Sequence, residues 1–553
     1  MEACSQRLLQ EQINRTSASG GGTVFIEECT YILTEPLILK AGVHLQGAGQ
    51  GKSILKINPK DANGISASHK LLIADRSDNI KISNVTFDGV KYSREDLIDD
   101  PYAHTVEVAW CNHFELDQVE IINSASASIV LYNSTNGTIK DCSIKNSGSN
   151  GILALQDCRS ISVLNNTIEN TDFQNGIFFS YQLGKSSSTI TIEGNTIKNA
   201  ADFGIEVGHT VAEGDPAHSE IVVRNNTVVN SQNSGIAFRT VSFGLIEDNV
   251  IEGYGKNGGY GGDGIFVEGF RNRAEKVNVM NNTVKQTNTT GNANAIYITG
   301  VDQVNVVGNQ MVDSNGKGVF AQASVMGVTT NDFPNGRRRY NNITVLENEI
   351  SNPKGVGIQF QGEASQENRI IGNIVTNSGE EGILIANLDD ENRGIMIERN
   401  TITSSSFEGI GIFRQQDFSL NENKLVNNGQ AVDGVENRQA GVRLTAVGNG
   451  ALIENTFKDD QDTPTQLYYI VVRQTNGRVT NDGVRLIGGT KSKLVINSPN
   501  YTESDITYQP KDSAEFEEKL FDAVVGLENL DSETIDEVLS IVKNIVQFAI
   551  RSN

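Results

Sequence analysis

From residue 119 onward one short step returns along the chain: an asparagine, or a residue standing in for it, with Ile or Val two places later. A polar turn and a Gly-[Ile/Val]-x-Φ-x segment follow each time, Φ being apolar. The step reads Val119-Glu-Ile121, Cys142-Ser-Ile144, Asn166-Thr-Ile168, Asn195-Thr-Ile197, Asn226-Thr-Val228, Asn249-Val-Ile251 and Asn282-Thr-Val284. It continues at Asn309, Asn348, Asn373, Asn400, Asn423 and Asn455. Successive steps lie between 23 residues (119 to 142) and 39 residues (309 to 348) apart. That length suits one coil of a β-solenoid, whereas the constant period of leucine-rich or propeller repeats is absent.

Each coil would hold several short parallel strands, so that alternate residues point inward and stack on their equivalents one coil away. The step therefore predicts aliphatic ladders through Ile168, Ile197, Val228 and Val284, with rungs about 4.8 Å apart. Asparagine tolerates a left-handed turn, and its amide can bond to the asparagine of the next coil in a buried turn.

Composition agrees with this. Hydrophobic residues make up 37% of the 553, enough for a long core, and Gly, Asn, Thr, Ser, Ile and Val dominate the middle. A formal charge of -23 and a pI near 4.8 exclude nucleic acid and anionic membranes as natural partners. No run of 18 apolar residues exists, and Met1 to Arg15 lacks the layout of a signal peptide. The expectation is an extracellular or virion-borne protein. Cys4, Cys29, Cys111, Cys142 and Cys158 show no C-x-x-C spacing, so zinc or thiol redox chemistry has nothing to start from. Cys142 occupies an asparagine position and reads as a small core residue.

The N-terminal stretch has Leu8-Leu-Gln-Glu-Gln-Ile13 as a short amphipathic helix and Gly20-Gly-Gly-Thr-Val24 leading into a strand. Tyr31-Ile-Leu, Leu37-Ile-Leu and Val43-His-Leu-Gln-Gly-Ala-Gly49 follow. With the repeats, this resembles the opening of pectate-lyase-superfamily proteins over roughly residues 5 to 500. The resemblance implies an all-β, right-handed parallel β-helix acting on carbohydrate. The superfamily holds polysaccharide lyases, glycoside hydrolases, uronan epimerases, tailspikes and adhesins, so it does not choose among them. The Asp-Pro-His-Glu segment of alginate epimerases is missing; the nearest string is Asp99-Asp-Pro-Tyr-Ala-His104. The polygalacturonase motifs are missing too, so no family catalytic residue carries over.

Three regions are expected: an N-terminal cap with the first strands (1–50), the β-helix (51–509) and a C-terminal α-helical hairpin (510–553). In the hairpin, Asp512-Ser-Ala-Glu515 and Thr534-Ile-Asp-Glu537 read as capping boxes, and Ile535, Val538, Leu539, Val542, Ile545, Val546 and Ala549 share an apolar face. That face is expected to cover the last coil, with trimerisation as the rival, leaving a monomer or a homotrimer.

Inward residues are committed to packing, so a site belongs on the outward column of the Gly-[Ile/Val]-x-Φ-x strands, where long connections wall it. That column carries Glu107, Val130, Tyr132, Leu153, Leu155, Phe178, Glu206, Arg239, Phe266, Glu268, Tyr297, Phe320 and Gln322. Glu206, Asp263, Glu268, Arg239 and His209 are the candidate catalytic residues. Phe178, Phe266, Tyr297, Phe320 and Gln322 are the candidate sugar contacts, because sugar rings stack on aromatic faces while their hydroxyls seek polar side chains. Glu206 and Glu268, two coils apart, would have backbones about 9 to 10 Å apart, near the spacing of an inverting carboxylate pair. His209 and His218, with Asp215, offer a general base or a weak metal site, and Arg337-Arg-Arg339 an anion clamp. No metal is assigned; calcium is the one cation Asp389-Asp390 could take, and no other cofactor is expected. Hydrolysis of a polysaccharide is slightly favoured over lyase or C5-epimerase chemistry, and over non-catalytic glycan binding.

Overall fold

The computed structural model describes residues 4–509, apart from 61–63, 66–69, 181–183, 209–215, 257–261, 270–274, 288–290, 323–341, 363–365, 388–391, 432–437 and 490–491. The expected C-terminal hairpin lies outside the described residues. Within them the chain winds as a right-handed parallel β-helix with three sheets of 18, 18 and 17 strands. One coil contributes Arg159–Leu164 to the first sheet, Thr167–Thr171 to the second and Ile177–Ser180 to the third. Among the described residues every strand pairing is parallel and joins strands of adjacent coils, as the repeat requires.

The expected ladders form. Ile168 pairs with Ile197, Ile197 with Val228, Val228 with Ile251 and Ile251 with Val284, all at most 1% exposed. The asparagines form a second ladder in the buried turn between the first and second sheets. Asn166, Asn195, Asn226, Asn249, Asn282, Asn309, Asn348, Asn373, Asn400, Asn423 and Asn455 each donate from, or accept at, the amide of the next coil. The left-handed residue is the one before the ladder asparagine: Asn165 (φ 54), Asn225 (φ 55), Asp248 (φ 54) and Asn281 (φ 54). The ladder amide itself is used for bonding. Cys142 opens the ladder and takes the same role, its Sγ donating to the carbonyls of Leu116 and Lys140. Burial raises its thiol to about 12, so it is inert.

Where a glycine precedes a third-sheet strand, close approach requires it. A Cβ on Gly235 would lie 2.3 Å from Cγ2 of Ile251. At the N-terminal end the helix Gln6–Ala18 is capped by Ser5 and buries Leu9 and Ile13 against the first coil. A Cys4–Cys29 disulfide ties it down. Spacing alone did not reveal that pair.

Candidate functional site

The outward column of the third sheet falls into register residue by residue. Leu153 pairs with Phe178, Phe178 with Glu206, Glu206 with Ala237, Ala237 with Phe266, Phe266 with Tyr297 and Tyr297 with Phe320. Two residues further along, Arg239 pairs with Glu268, Glu268 with Thr299 and Thr299 with Gln322. Glu206 and Glu268 are therefore two coils apart, but also out of step, because Gly208 is the residue facing Arg239. Adding that stagger stretches their backbone separation to roughly 12 Å, beyond the simple coil-spacing value.

Arg239 spans the gap. Its Nη1 donates to Glu206 Oε1 at 3.2 Å and its Nε to Glu268 Oε2 at 2.8 Å. Asn175 Nδ2 donates to the other Glu206 oxygen at 2.7 Å. Glu206 is 3% exposed and Glu268 1%. Burial pushes Glu206 up to about 7, against the pull of Arg239 and Asn175. Burial works to lower the Arg239 pKa, but Glu268 and Glu206 outweigh it and raise it. Glu206, raised by burial, is the carboxyl of the two that is placed to hold a proton, and the shorter bond from Arg239 goes to Glu268.

The aromatic candidates correct the expectation of open stacking platforms. Phe266 and Tyr297 are 1% and 6% exposed and stack on each other, with centroids 5.4 Å apart. Tyr297 stacks in turn on Phe320 at 5.1 Å. With Phe203 and Ala237 they form a second apolar cluster outside the solenoid core. Lys317 caps its end, 4.3 Å from the Phe320 ring centre, and Tyr297 Oη donates to Gln322 Oε1 at 2.7 Å. Phe178, Phe320 and Gln322 stay partly exposed.

Asp263 belongs to a different column. It precedes Gly264 as Asn175 precedes Gly176 and Ser234 precedes Gly235, forming a turn ladder. Its Oδ1 accepts from the backbone and side-chain nitrogens of Asn294, both at 2.8 Å, and its own N–H donates to Ser234 Oγ. Burial lifts its carboxyl to about 6. None of these bonds reaches Arg239.

His209, Asp215, Arg337 to Arg339 and Asp389-Asp390 lie outside the described residues. His218 does not serve a loop site: it opens the strand His218–Arg224, is 0% exposed, and its Nδ1 accepts from the Ser187 N–H at 3.1 Å. Burial drops its pKa to about 4, so it stays neutral. His104 is likewise buried and lowered to about 4. Among the described residues no group of three or more His, Cys, Asp or Glu gathers to hold a metal ion.

One cluster escaped the sequence reading. Glu381 and Glu408 precede the strand-opening glycines Gly382 and Gly409 on adjacent coils, and are 5% and 0% exposed. Arg438 Nη2 reaches Glu381 at 3.2 Å and Arg443 Nη1 reaches Glu408 at 3.1 Å. Burial, then Glu381, pushes Glu408 up to about 7, and its Oε2 has no partner. Glutamate ahead of the repeat glycine on two successive coils, in the column that also holds Asp263, was the available signal.

Fold and side-chain register together define a right-handed parallel β-helix with a buried acid–arginine–acid bridge on the outer side of one sheet. The chain belongs to the right-handed β-helix family, whose model, a right handed beta helix region, matches residues 70–251 and 215–393. A mannuronan C5-epimerase of Azotobacter vinelandii is 26% identical over 165 residues, 26% of this chain and 8% of that relative. Gene product 12 of bacteriophage phi29, in its pre-mature form, is 14% identical with a TM-score of 0.50, over 90% of this chain and 70% of that one. The catalytic unit of an α-1,3-glucanase from Streptomyces thermodiastaticus is 15% identical with a TM-score of 0.48, over 71% of this chain and 65% of that one. At such identities the likeness to solved structures is one of fold.

Proposed function

We propose that this protein binds an extended carbohydrate polymer along the outer face of the third sheet and cuts it by glycoside hydrolysis. The Glu206–Arg239–Glu268 bridge carries this reading. One carboxyl holds a proton up to about pH 7 while the other is ion-paired, the division of labour that glycoside cleavage needs. Glu206 donates its proton to the leaving glycosidic oxygen as the C–O bond breaks. Glu268 takes a proton from the water that adds to the anomeric carbon. Because both carboxylates are buried, substrate entry must part the Arg239 bridge, freeing Glu268 as a base.

The stretch shared with a mannuronan epimerase supports a polysaccharide substrate and keeps lyase or C5-epimerase chemistry as the second reading. That chemistry needs a cation for the uronate carboxylate, which Arg239 would supply only once substrate parts it from both glutamates. The Cys4–Cys29 disulfide supports an oxidising, extracellular setting.

The test compares Glu206→Gln and Glu268→Gln with the exposed control Glu349→Gln across a panel of polysaccharides, scoring new reducing ends, unsaturated uronate absorbance and glycan binding. New reducing ends that vanish in both site variants, with binding kept, support hydrolysis. Absorbance from unsaturated ends would assign a lyase. Binding without products would leave a glycan-gripping adhesin or tailspike-like protein.

A further inference from the structure

Trp110, the only tryptophan of the chain, sits where packing does not require it. It follows the third-sheet strand Val106–Ala109, is 44% exposed, and has φ 52. A bulky residue in the left-handed region is uncommon and costs about 1 kcal/mol or more. Neighbouring coils fill the equivalent turn with Arg76, Asn133 and Gln156, all at positive φ.

Its surroundings hold the ring in place. The Trp110 N–H donates to the Tyr132 carbonyl at 2.8 Å. With the Asn133 amide turned to satisfy both its ends, the indole Nε1–H donates to its oxygen at 3.1 Å. The Tyr132 ring lies near-parallel to the indole, 14° off with centroids 6.4 Å apart, so the two make a stepped pair. Arg76 lies 4.8 Å from the indole centroid. Partly exposed Leu153 and Leu155 continue the strip in register with Val130 and Tyr132.

Most charges around this strip are paired, and Asp78, whose carboxylate accepts from the Asn112 N–H at 2.8 Å, adds a negative one at its edge. Lys70 pairs with Glu107 at 2.7 Å, Arg76 with Asp75 at 2.9 Å and Arg159 with Asp157 at 2.6 Å. In a chain of formal charge -23 the strip thus presents mostly paired charges, neither a cationic clamp nor an anionic shield. Aromatic faces flanked by fixed donors and acceptors suit the apolar face and hydroxyl rim of an uncharged sugar ring.

We propose that Trp110 and Tyr132 form a binding platform for a neutral glycan chain, five coils and so about 24 Å from Arg239 on the same face. The proposal rests on the carbohydrate reading above and adds a place and a charge class to it.

The lone tryptophan makes the test site-specific. The intact chain is titrated with neutral hexose oligosaccharides and, in parallel, with oligouronates, following tryptophan fluorescence and calorimetric binding. The expected result is a saturable fluorescence change with a neutral oligosaccharide. Affinity should fall about tenfold or more in Tyr132→Ala and in Trp110→Ala, the latter read by calorimetry, and be largely kept in Trp110→Phe. Oligouronates should bind at least about tenfold more weakly. Calorimetric binding with unchanged fluorescence and unaffected variants would overturn the platform while leaving the carbohydrate reading intact. Tighter binding of oligouronates would overturn the neutral class, and absence of binding by any probe would overturn both. Circular dichroism of each variant separates lost binding from lost folding.

Discussion

Replacing Asn249 by leucine isolates what the buried asparagine ladder does. The native amide oxygen accepts from Asn226 N–H at 2.9 Å and from Asn226 Nδ2 at 3.0 Å. Its nitrogen donates to the carbonyls of Val223 and Glu247 and to Asn282 Oδ1, each at 2.9 Å. Leucine is similar in size but makes none of these bonds, and the site is 1% exposed, so water cannot replace them. Asn226 Nδ2 keeps its bonds to Ile192 and Arg224, while the Asn226 N–H is orphaned and the Val223 carbonyl loses a donor. At about 1 to 3 kcal/mol per unsatisfied buried group, the loss should be about 2 to 6 kcal/mol. Because a solenoid unfolds by neighbouring coils, it should appear in urea denaturation and as local loss of hydrogen-exchange protection around residues 223–228. Asn146→Gly is the contrast, in a second, partly exposed run of asparagines where Asn146 donates to Asn123 and accepts from Asn170, both at 3.2 Å: it keeps the left-handed conformation (φ 60) and should cost under about 1 kcal/mol. A folded Asn249→Leu protein within about 1 kcal/mol of the parent, with unchanged protection, would refute the ladder as a stabilising device.

Other outcomes follow from the same structure. Val228→Asp puts an unpaired carboxylate into a dry ladder and should yield no soluble folded protein; a soluble variant with native circular dichroism would contradict the register. Truncation after Gln509 should cause association, since it would leave the open strand edges of the last coil bare; a monomeric truncated protein of equal stability would make residues 510–553 a separate module. Glu408, raised from 4.5 to about 7, stabilises the fold fully below pH 4.5, and that contribution is lost as pH rises through 7. Glu408→Gln, a mimic of the protonated form, should gain on the parent by up to about 3 kcal/mol between pH 4.5 and 8 in denaturant titrations. His104 and His218, lowered to about 4, act in the opposite sense, losing stability as pH falls from 6.5 through 4, and cancel in that comparison. A pH-independent difference would refute the assignment.

The coil, the ladders and the outward column were legible because strand alternation is a local rule: Phe178, Glu206, Ala237 and Phe266 could be aligned on their glycines alone. What covers that column was not legible. Whether Phe266 faces water depends on chains that arrive from other coils, and parity does not report it. The stagger of Glu206 against Glu268 does not show in a count of coils, which ignores displacement along the strand. His218 looks like loop in the sequence because its strand begins three residues before the alternating Ile221 and Val223. Cys4 and Cys29 join across 25 residues with no motif, and Trp110 stands in a turn position that the repeat leaves free.

The bridge itself is open to one direct measurement: a crystal structure of intact Glu206→Gln soaked with an oligosaccharide that the wild-type protein cleaves. The account predicts a sugar chain along the third sheet, with a glycosidic oxygen within hydrogen-bond distance of the introduced amide at position 206 and Arg239 turned away from it. Sugar density on another face, or on this face with the Arg239 bridge intact and no glycosidic oxygen near position 206, would contradict it.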